Sequence, residues 1–232
     1  MELNSIAFIP DGNRRFAKQS GLQLLNAYQL GTQKAWDVMD WIAKYPQIKV
    51  GTFYTLSLEN LYGRKEELKI LFKIFEHELD KVKEGSKVEA NQTRLKFIGR
   101  LELFPKSLRE KIAKAEKFSE NFSNKTINLA IGYNGQAEIV DAAKKIATDF
   151  KANKLDLDSL NQDNFKKYLY GQFQEPDLIV RTSGTQRLSG FLTYQSSYSE
   201  LYFINKFWPQ LTEQDVDLAV QEFDSRQRRF GK

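Results

Sequence analysis

The sequence predicts an α/β fold: one domain over residues 1–232, built on a mostly parallel six-stranded sheet flanked by helices. Short apolar runs alternate with longer amphipathic stretches along most of the chain, and strands separated by helices need crossovers that leave neighbouring strands parallel. The 232 residues lie within what one hydrophobic core can organise. Hydrophobic residues at 41% and aromatics at 13% can fill that core and argue against a largely disordered chain.

Ser5 to Ile9 reads as a buried strand that stops at Pro10-Asp11-Gly12. From Asn26 to Tyr45, Leu30, Trp36, Met39, Ile42 and Ala43 recur at three- and four-residue steps, the period of an amphipathic helix. Val50 to Leu56 is β-branched and aromatic, a second strand. Glu66 to Val82 carries Ile70, Leu71, Ile74, Phe75 and Leu79 on one helical side. Leu95 to Ile98 is a third strand and Leu108 to Phe118 a helix. Thr126 to Ile131 is a fourth strand, ending at Gly132-Tyr133-Asn134-Gly135 before the helix Ala137 to Phe150. A polar helical stretch covers Asp156 to Tyr168. Strands follow at Leu178 to Arg181 and Leu201 to Ile204, and a last helix at Glu213 to Phe223. The segment Thr182 to Tyr198 has no helical pattern and is rich in Ser, Gly and Gln; a long loop held between strands is a functional candidate.

Composition narrows the chemistry. Zero cysteines exclude disulfides, thiolate nucleophiles and Cys-ligated metals, and the single histidine, His77, excludes a His cage within one chain. His77 sits mid-helix between Glu76 and Glu78 and reads as a surface residue. Lys and Arg number 35 against 30 Asp and Glu, a net +5 that suits an anionic ligand or membrane surface but falls short of a nucleic-acid binder. No apolar run approaches the roughly 20 residues of a spanning helix, and no cationic segment precedes an apolar one at the start, so a cytoplasmic protein is expected. No GxxxxGK[ST] occurs and no GxGxxG follows the first strand, which disfavours both common nucleotide sites.

In open parallel sheets, ligands bind beyond the carboxyl ends of the strands. Polar groups gather at those ends here. The first strand is followed by Pro10-Asp11-Gly12-Asn13-Arg14-Arg15, where glycine allows close backbone approach, helix-opening amides favour an anion and arginine offers a fork for phosphate oxygens. Asp11 cannot bind phosphate at neutral pH but can hold a magnesium ion that does. Ser57-Leu58-Glu59-Asn60 ends the second strand and Tyr133-Asn134-Gly135 the fourth. Arg181-Thr182-Ser183-Gly184-Thr185-Gln186-Arg187-Leu188-Ser189 ends the fifth, with two guanidinium groups and several hydroxyls on one loop, a composition suited to a diphosphate. Glu200 precedes the sixth.

These blocks, with Glu200-Leu201-Tyr202-Phe203, Trp208-Pro209 and the terminal Arg226-Gln227-Arg228-Arg229-Phe230-Gly231, resemble in order and spacing the cis-prenyltransferases, the undecaprenyl diphosphate synthase-like enzymes. The resemblance implies an enzyme that condenses an allylic diphosphate with isopentenyl diphosphate, adding one cis five-carbon unit per cycle to make a polyprenyl diphosphate for lipid glycosyl carriers. It implies that Asp11 holds Mg2+ and assists departure of the allylic diphosphate, with Glu200 a second metal ligand. Gly12, Asn13, Arg14 and Arg15 would cradle that diphosphate; Asn60 and Ser57 would act near the condensing carbons; Arg181, Arg187 and Ser189 would bind isopentenyl diphosphate. Arg229 and Gly231 resemble an element that reaches across a dimer interface. A homodimer and loose attachment to a membrane are further implied, as is a hydrophobic tunnel for which Trp36, Met39, Phe53, Thr55, Leu71, Phe72 and Phe75 are candidates.

The chain departs from the family pattern at several positions. Arg14 stands for a glycine, Phe16 for a tryptophan, Tyr28 for a histidine, Leu24 for an arginine and Gln136 for an arginine. Leu58 and Leu61 stand for Ser and Trp, Thr185-Gln186 for Glu-His, and the arginine expected near Gly63 falls one place late, at Arg64. A non-catalytic accessory subunit of a heteromeric enzyme is the alternative, disfavoured because such subunits lose the aspartate retained as Asp11. A basic lipid- or nucleic-acid-binding module is a third reading, disfavoured because arginines clustered on strand-end loops suit compact diphosphates better than a duplex.

Overall fold

The computed structural model describes residues 2–226. The strands β1 (Ser5–Ile9), β2 (Val50–Ser57), β3 (Thr93–Ile98), β4 (Lys125–Tyr133), β5 (Leu178–Arg181) and β6 (Glu200–Phe203) form one sheet in the order β3-β4-β2-β1-β5-β6. Every neighbouring pair is parallel. The chain leaves β1 toward β2 and later returns to its other side as β5, so β1 lies at the switch in strand order where a ligand crevice opens.

Alternation along β1 divides the interior. Ile6 and Phe8 enter a core with Phe53, Val180 and Trp208, where Phe8 stacks on Phe53 with ring centroids 5.2 Å apart. Ala7 and Ile9 point the other way, toward Tyr54, Ile179 and Phe191. Both faces are buried, as an all-parallel sheet requires. A third cluster, Leu56, Leu61, Phe104, Leu108 and Ile131, packs beneath the helices that follow β2.

Helices α1 (Asn13–Gln19) and α2 (Leu24–Ala43) connect β1 to β2, and α3 (Leu58–Gly63), α4 (Lys65–Asp80) and α5 (Lys87–Ala90) connect β2 to β3. Then come α6 (Lys106–Ser119), α7 (Gly135–Lys151), α8 (Gln162–Phe165) and α9 (Glu213–Ser225). The predicted strands and long helices form, with ends shifted by one to two residues at most positions. Two short helices at strand ends, α1 and α3, were not predicted as separate elements. Gly12 opens α1 at φ 105°, and a Cβ there would lie 2.6 Å from Phe207 Cδ1; that turn lets a helix start soon after β1 ends. The expected helical stretch Asp156 to Tyr168 is corrected: it breaks into two 3-10 turns and the four-residue α8. Asp156 and Asn161 cap their own short turns, and the segment has little apolar face to bury.

Candidate active site

Asp11 sits where β1 hands over to α1. Thr182, the first residue after β5, clamps that turn: its hydroxyl accepts from the Asp11 amide at 2.9 Å and donates to the Asp11 carbonyl at 2.8 Å. The two carboxylate oxygens are held separately. Arg181 Nη2 meets Oδ2 at 2.9 Å, and Arg15 Nη2 meets Oδ1 at 3.2 Å. Burial pushes the Asp11 carboxyl upward, but hydrogen bonds from Arg181 and Ser183 and the charges of Arg181 and Arg15 outweigh it, leaving it below the usual carboxylate range. Asp11 is therefore ionised throughout the neutral range.

The loop after β5 folds around Arg181, which is buried. Its Nη1 donates to Ser189 Oγ at 2.8 Å and to the Arg187 carbonyl, and Arg187 Nε reaches Ser189 Oγ at 3.3 Å. Among the described residues Arg181 Nε is buried without a hydrogen-bond partner, a donor open to a further acceptor. Ser183 and Ser189 take positive φ, 75° and 52°, as do Gly184 and Gly190. The amides of Ser183 and Gly184 donate to the carbonyls of Lys206 at 2.6 Å and Ile204 at 3.0 Å, which fixes the start of the loop against the chain that follows β6. Arg15 Nη2 also donates to Ser183 Oγ at 2.5 Å, tying the β1 and β5 loops together.

On the far side of the crevice, Ser57 caps α3 and its hydroxyl accepts from the Asn60 amide at 3.2 Å. Asn60 follows Glu59, whose Oε1 accepts from Asn134 Nδ2 at 2.6 Å. Beside α1, Glu67 of α4 accepts from the Tyr28 hydroxyl at 2.5 Å and pairs with Arg14 Nε at 3.4 Å. Burial, and then the Glu67 carboxylate, push the Tyr28 hydroxyl up to about 12.

A cavity of about 1010 Å³ is lined by Asp11, Arg15, Ser57, Asn60, Arg181 and Ser189 together with apolar side chains of α2, α4 and the sheet. Such a volume is at the upper end of the roughly 300–1,000 Å³ of small-molecule sites. Trp36, Met39, Phe53, Thr55, Leu71 and Phe75 all line it. Phe72 does not; it packs edge-on against Phe104, centroids 5.6 Å apart. A carboxylate, Glu78, interrupts the apolar wall and is satisfied by Trp36 Nε1 at 2.7 Å and Lys81 at 2.7 Å.

The family model of the undecaprenyl diphosphate synthases matches residues 9–231. The chain belongs to the cis-prenyltransferase family. It is 40% identical over 228 residues to the geranylgeranyl-diphosphate-specific tritrans,polycis-undecaprenyl-diphosphate synthase of Methanopyrus kandleri, covering 98% of this chain and 84% of that protein. The enzyme of the same name from Thermoplasma volcanium is 41% identical, with 98% and 88% covered. Among solved structures, the lavandulyl diphosphate synthase of Lavandula x intermedia in complex with dimethylallyl diphosphate superposes with a TM-score of 0.94 at 32% identity, covering 100% of this chain and 99% of that one. A probable undecaprenyl diphosphate synthase from Campylobacter jejuni gives 0.81 at 31%, with both chains fully covered (100%). The protein is thus an enzyme, a prenyl transferase with the α/β fold of that family.

A cis-prenyltransferase of this kind implies a magnesium ion. Among the described residues no three His, Cys, Asp or Glu side chains cluster as a metal cage. Magnesium does not need one: it keeps waters and is commonly held by one or two carboxylates plus substrate phosphates. Asp11, ionised and lining the cavity beside two arginines, fits that donor set.

Placement of the remaining predicted residues is uneven. Gly12, Asn13, Arg14, Arg15, Ser57, Asn60, Arg181, Arg187 and Ser189 all line the one cavity. Glu200 does not. It opens β6 level with Leu178, three positions before the Phe203 that lies level with Arg181, and Arg226 binds it at 2.8 Å. Within one chain it therefore lies about 10 Å upstream of Arg181 along the strands, toward the other end of the sheet from Asp11. Arg229 and Gly231 lie outside the described residues. Thr182, Glu67 and Asn134 were given no role of their own. Thr182 and Asn134 stood within the strand-end blocks singled out, while Glu67 is one charge on a helix of many and carries no signal before folding.

Proposed function

We propose that this cis-prenyltransferase condenses isopentenyl diphosphate onto an all-trans allylic diphosphate, repeatedly, to give a polyprenyl diphosphate for lipid glycosyl carriers. The observation that supports this most is an ionised aspartate gripped by two guanidinium groups in a cavity of about 1010 Å³ whose lining is otherwise rich in apolar side chains. The M. kandleri and T. volcanium relatives are named as specific for geranylgeranyl diphosphate, and we take that as the primer here.

In the reaction the allylic C–O bond breaks, the isopentenyl double bond attacks the freed carbon, and a proton leaves the added unit. Charge develops on the departing diphosphate, so donors fixed in advance around it lower the barrier most. Arg15, Arg14 and the amides opening α1 at Asn13 bind the primer diphosphate, next to Gly12. Arg181, Arg187 and Ser189 bind the isopentenyl diphosphate. Asp11 keeps Arg181 and Arg15 in place, and with the diphosphate oxygens it would hold magnesium, which supplies charge neutralisation of the leaving group. Ser57 and Asn60 face the condensing carbons, where the proton departs. The apolar wall excludes water from the allylic cation and takes up the growing chain.

This reading includes a homodimer, in which Glu200, Arg229 and Gly231 serve the partner's site rather than their own. It also includes loose attachment to a membrane surface on the cytoplasmic side, since the product is a long hydrocarbon. Among the described residues no helix is long and apolar enough to cross a membrane. Incubation with magnesium, labelled isopentenyl diphosphate and a panel of geranyl, farnesyl and geranylgeranyl primers should extend the label into longer products, most efficiently from the last. Absence of incorporation with every primer would overturn the proposal.

A further inference from the structure

We infer that Asn134 is a positioning residue that sets the spacing between the two halves of the active site, acting through Glu59. The inference rests on the condensation proposed above. Asn134 occupies the turn between β4 and α7. Its Oδ1 accepts from the amides of Gln136 at 2.9 Å and Ala137 at 3.0 Å, capping α7. That use of the oxygen fixes the orientation of the amide, because only the acceptor end can face two N–H donors. The nitrogen is left to donate to Glu59 Oε1 at 2.6 Å, a charge-assisted bond. Glu59 adjoins Asn60 on α3.

The other side of the same side chain abuts the diphosphate loop. Gly190, next to Ser189, has φ +76°, and a Cβ on it would lie 2.6 Å from Asn134 Nδ2. The neighbouring Gly135 amide donates to the Gly190 carbonyl at 2.7 Å. Tyr54 adds a second tie, its hydroxyl reaching the carbonyls of Tyr133 at 3.2 Å and Ser189 at 3.3 Å. One amide thus caps a helix, holds the helix that carries Asn60 and limits how closely the loop of Arg187 and Ser189 approaches. Capping alone does not call for asparagine, because aspartate caps as well. Aspartate cannot donate to Glu59. The joint needs one group that accepts on one side and donates on the other.

Reversing donor and acceptor tests this. Asn134→Asp keeps the cap but sets two carboxylates against each other, and turnover should fall about tenfold or more, as misplacement of reacting groups does, with the melting temperature little changed. Glu59→Gln keeps an acceptor oxygen and should cost a few-fold at most. In the double variant the amide introduced at position 59 donates to the carboxylate introduced at position 134, which replaces the native bond with its direction reversed. Turnover should then recover to within about threefold of the parent, because a bond of similar strength is restored. Magnesium-dependent binding of inorganic pyrophosphate, measured by calorimetry on the same four proteins, should follow the same order. If the parent binds pyrophosphate but extends no primer, the condensation proposal fails while the binding series still decides the joint. A double variant no better than Asn134→Asp in either measurement, or an Asn134→Asp protein equal to the parent, overturns the inference.

Discussion

Arg181 and Arg15 hold one oxygen each of the same carboxylate, Asp11, and belong to two walls of the site, the end of β5 and α1. Arg181 comes from β5, where it lies level with Ile9 of β1, and only 5% of its side chain is exposed. Strand register, two partners in its own loop and the ion pair fix it before any substrate arrives. Arg15 comes from the first turn of α1, is 51% exposed and rests 5.6 Å over the Phe207 ring. Its neighbour Arg14 is tied to Glu67 instead of to the sheet. One wall is preorganised and the other is more adjustable, which fits the proposed binding of isopentenyl diphosphate at the first and of the lengthening primer at the second.

Removing the guanidinium from each wall should separate them most. Arg181→Met leaves an ionised, half-buried Asp11 with its main partner gone; breaking such a pair costs about 3 kcal/mol at the lower end of buried cases. For a domain of this size that corresponds to a fall of about 8 °C in melting temperature, and turnover should drop by roughly 10²–10³-fold, as when a preorganised donor is lost. Arg15→Met should shift melting by less than about 2 °C, since an exposed pair contributes roughly 0–1 kcal/mol, and raise the primer KM more than it lowers kcat. Calorimetry with steady-state kinetics reads both. Equal losses in the two variants would abolish the distinction between the walls.

Acid sharpens the same contrast by a smaller amount. Burial raises the Asp11 carboxyl, yet Arg181 and its neighbours hold it below its ordinary 3.8. A carboxyl depressed in the folded protein stabilises it fully above the unfolded value, and that contribution is lost as pH falls through the folded value. Stability differences between the parent and Asp11→Asn should therefore be constant from about pH 5 to 8 and shrink below about 3.8. Denaturant unfolding across roughly pH 2–8 checks this; a difference that already shrinks between about pH 5 and 8 would mean that Asp11 is not held by Arg181 in solution.

The preorganised wall is also the legible one. Asp11, Arg181, Arg187 and Ser189 could be placed together before folding because each follows a β-branched strand, and a parallel sheet brings its strand ends to one edge. What fixes them is less visible: Thr182 is one hydroxyl among several, and its two hydrogen bonds to the Asp11 backbone depend on the turn that Gly12 makes. The adjustable wall is legible only in part. Arg14 and Arg15 stand in the block after the first strand as candidates for the primer diphosphate, but Tyr28 is visible only as a departure, and nothing in a charged, amphipathic helix singles out Glu67 as the carboxylate that meets both Arg14 and Tyr28. Glu200 precedes the sixth strand in the sequence and opens β6 in the structure, and how far that puts it from Asp11 is set by strand pairing. Its position follows from register with Leu178.

Glu67 provides the gentlest test of the adjustable wall. Its carboxylate pairs with Arg14 at 3.4 Å across a surface where Arg14 is 56% exposed, so the bond is weak and screened. On the proposed reading, a primer diphosphate arriving at α1 competes for that same guanidinium. Glu67→Gln keeps an oxygen for the Tyr28 hydroxyl but removes the charge that holds Arg14 back, so the primer KM should fall about two- to threefold with kcat nearly unchanged. The isopentenyl diphosphate KM should stay put, because Glu67 makes no contact with the β5 loop among those described. Raising ionic strength to about 1 M, where screening acts within about 3 Å, should erase the difference between the two proteins. A rise in primer KM would instead mean that Glu67 aligns Arg14 for the diphosphate, and the wall would then be as preorganised as that of β5.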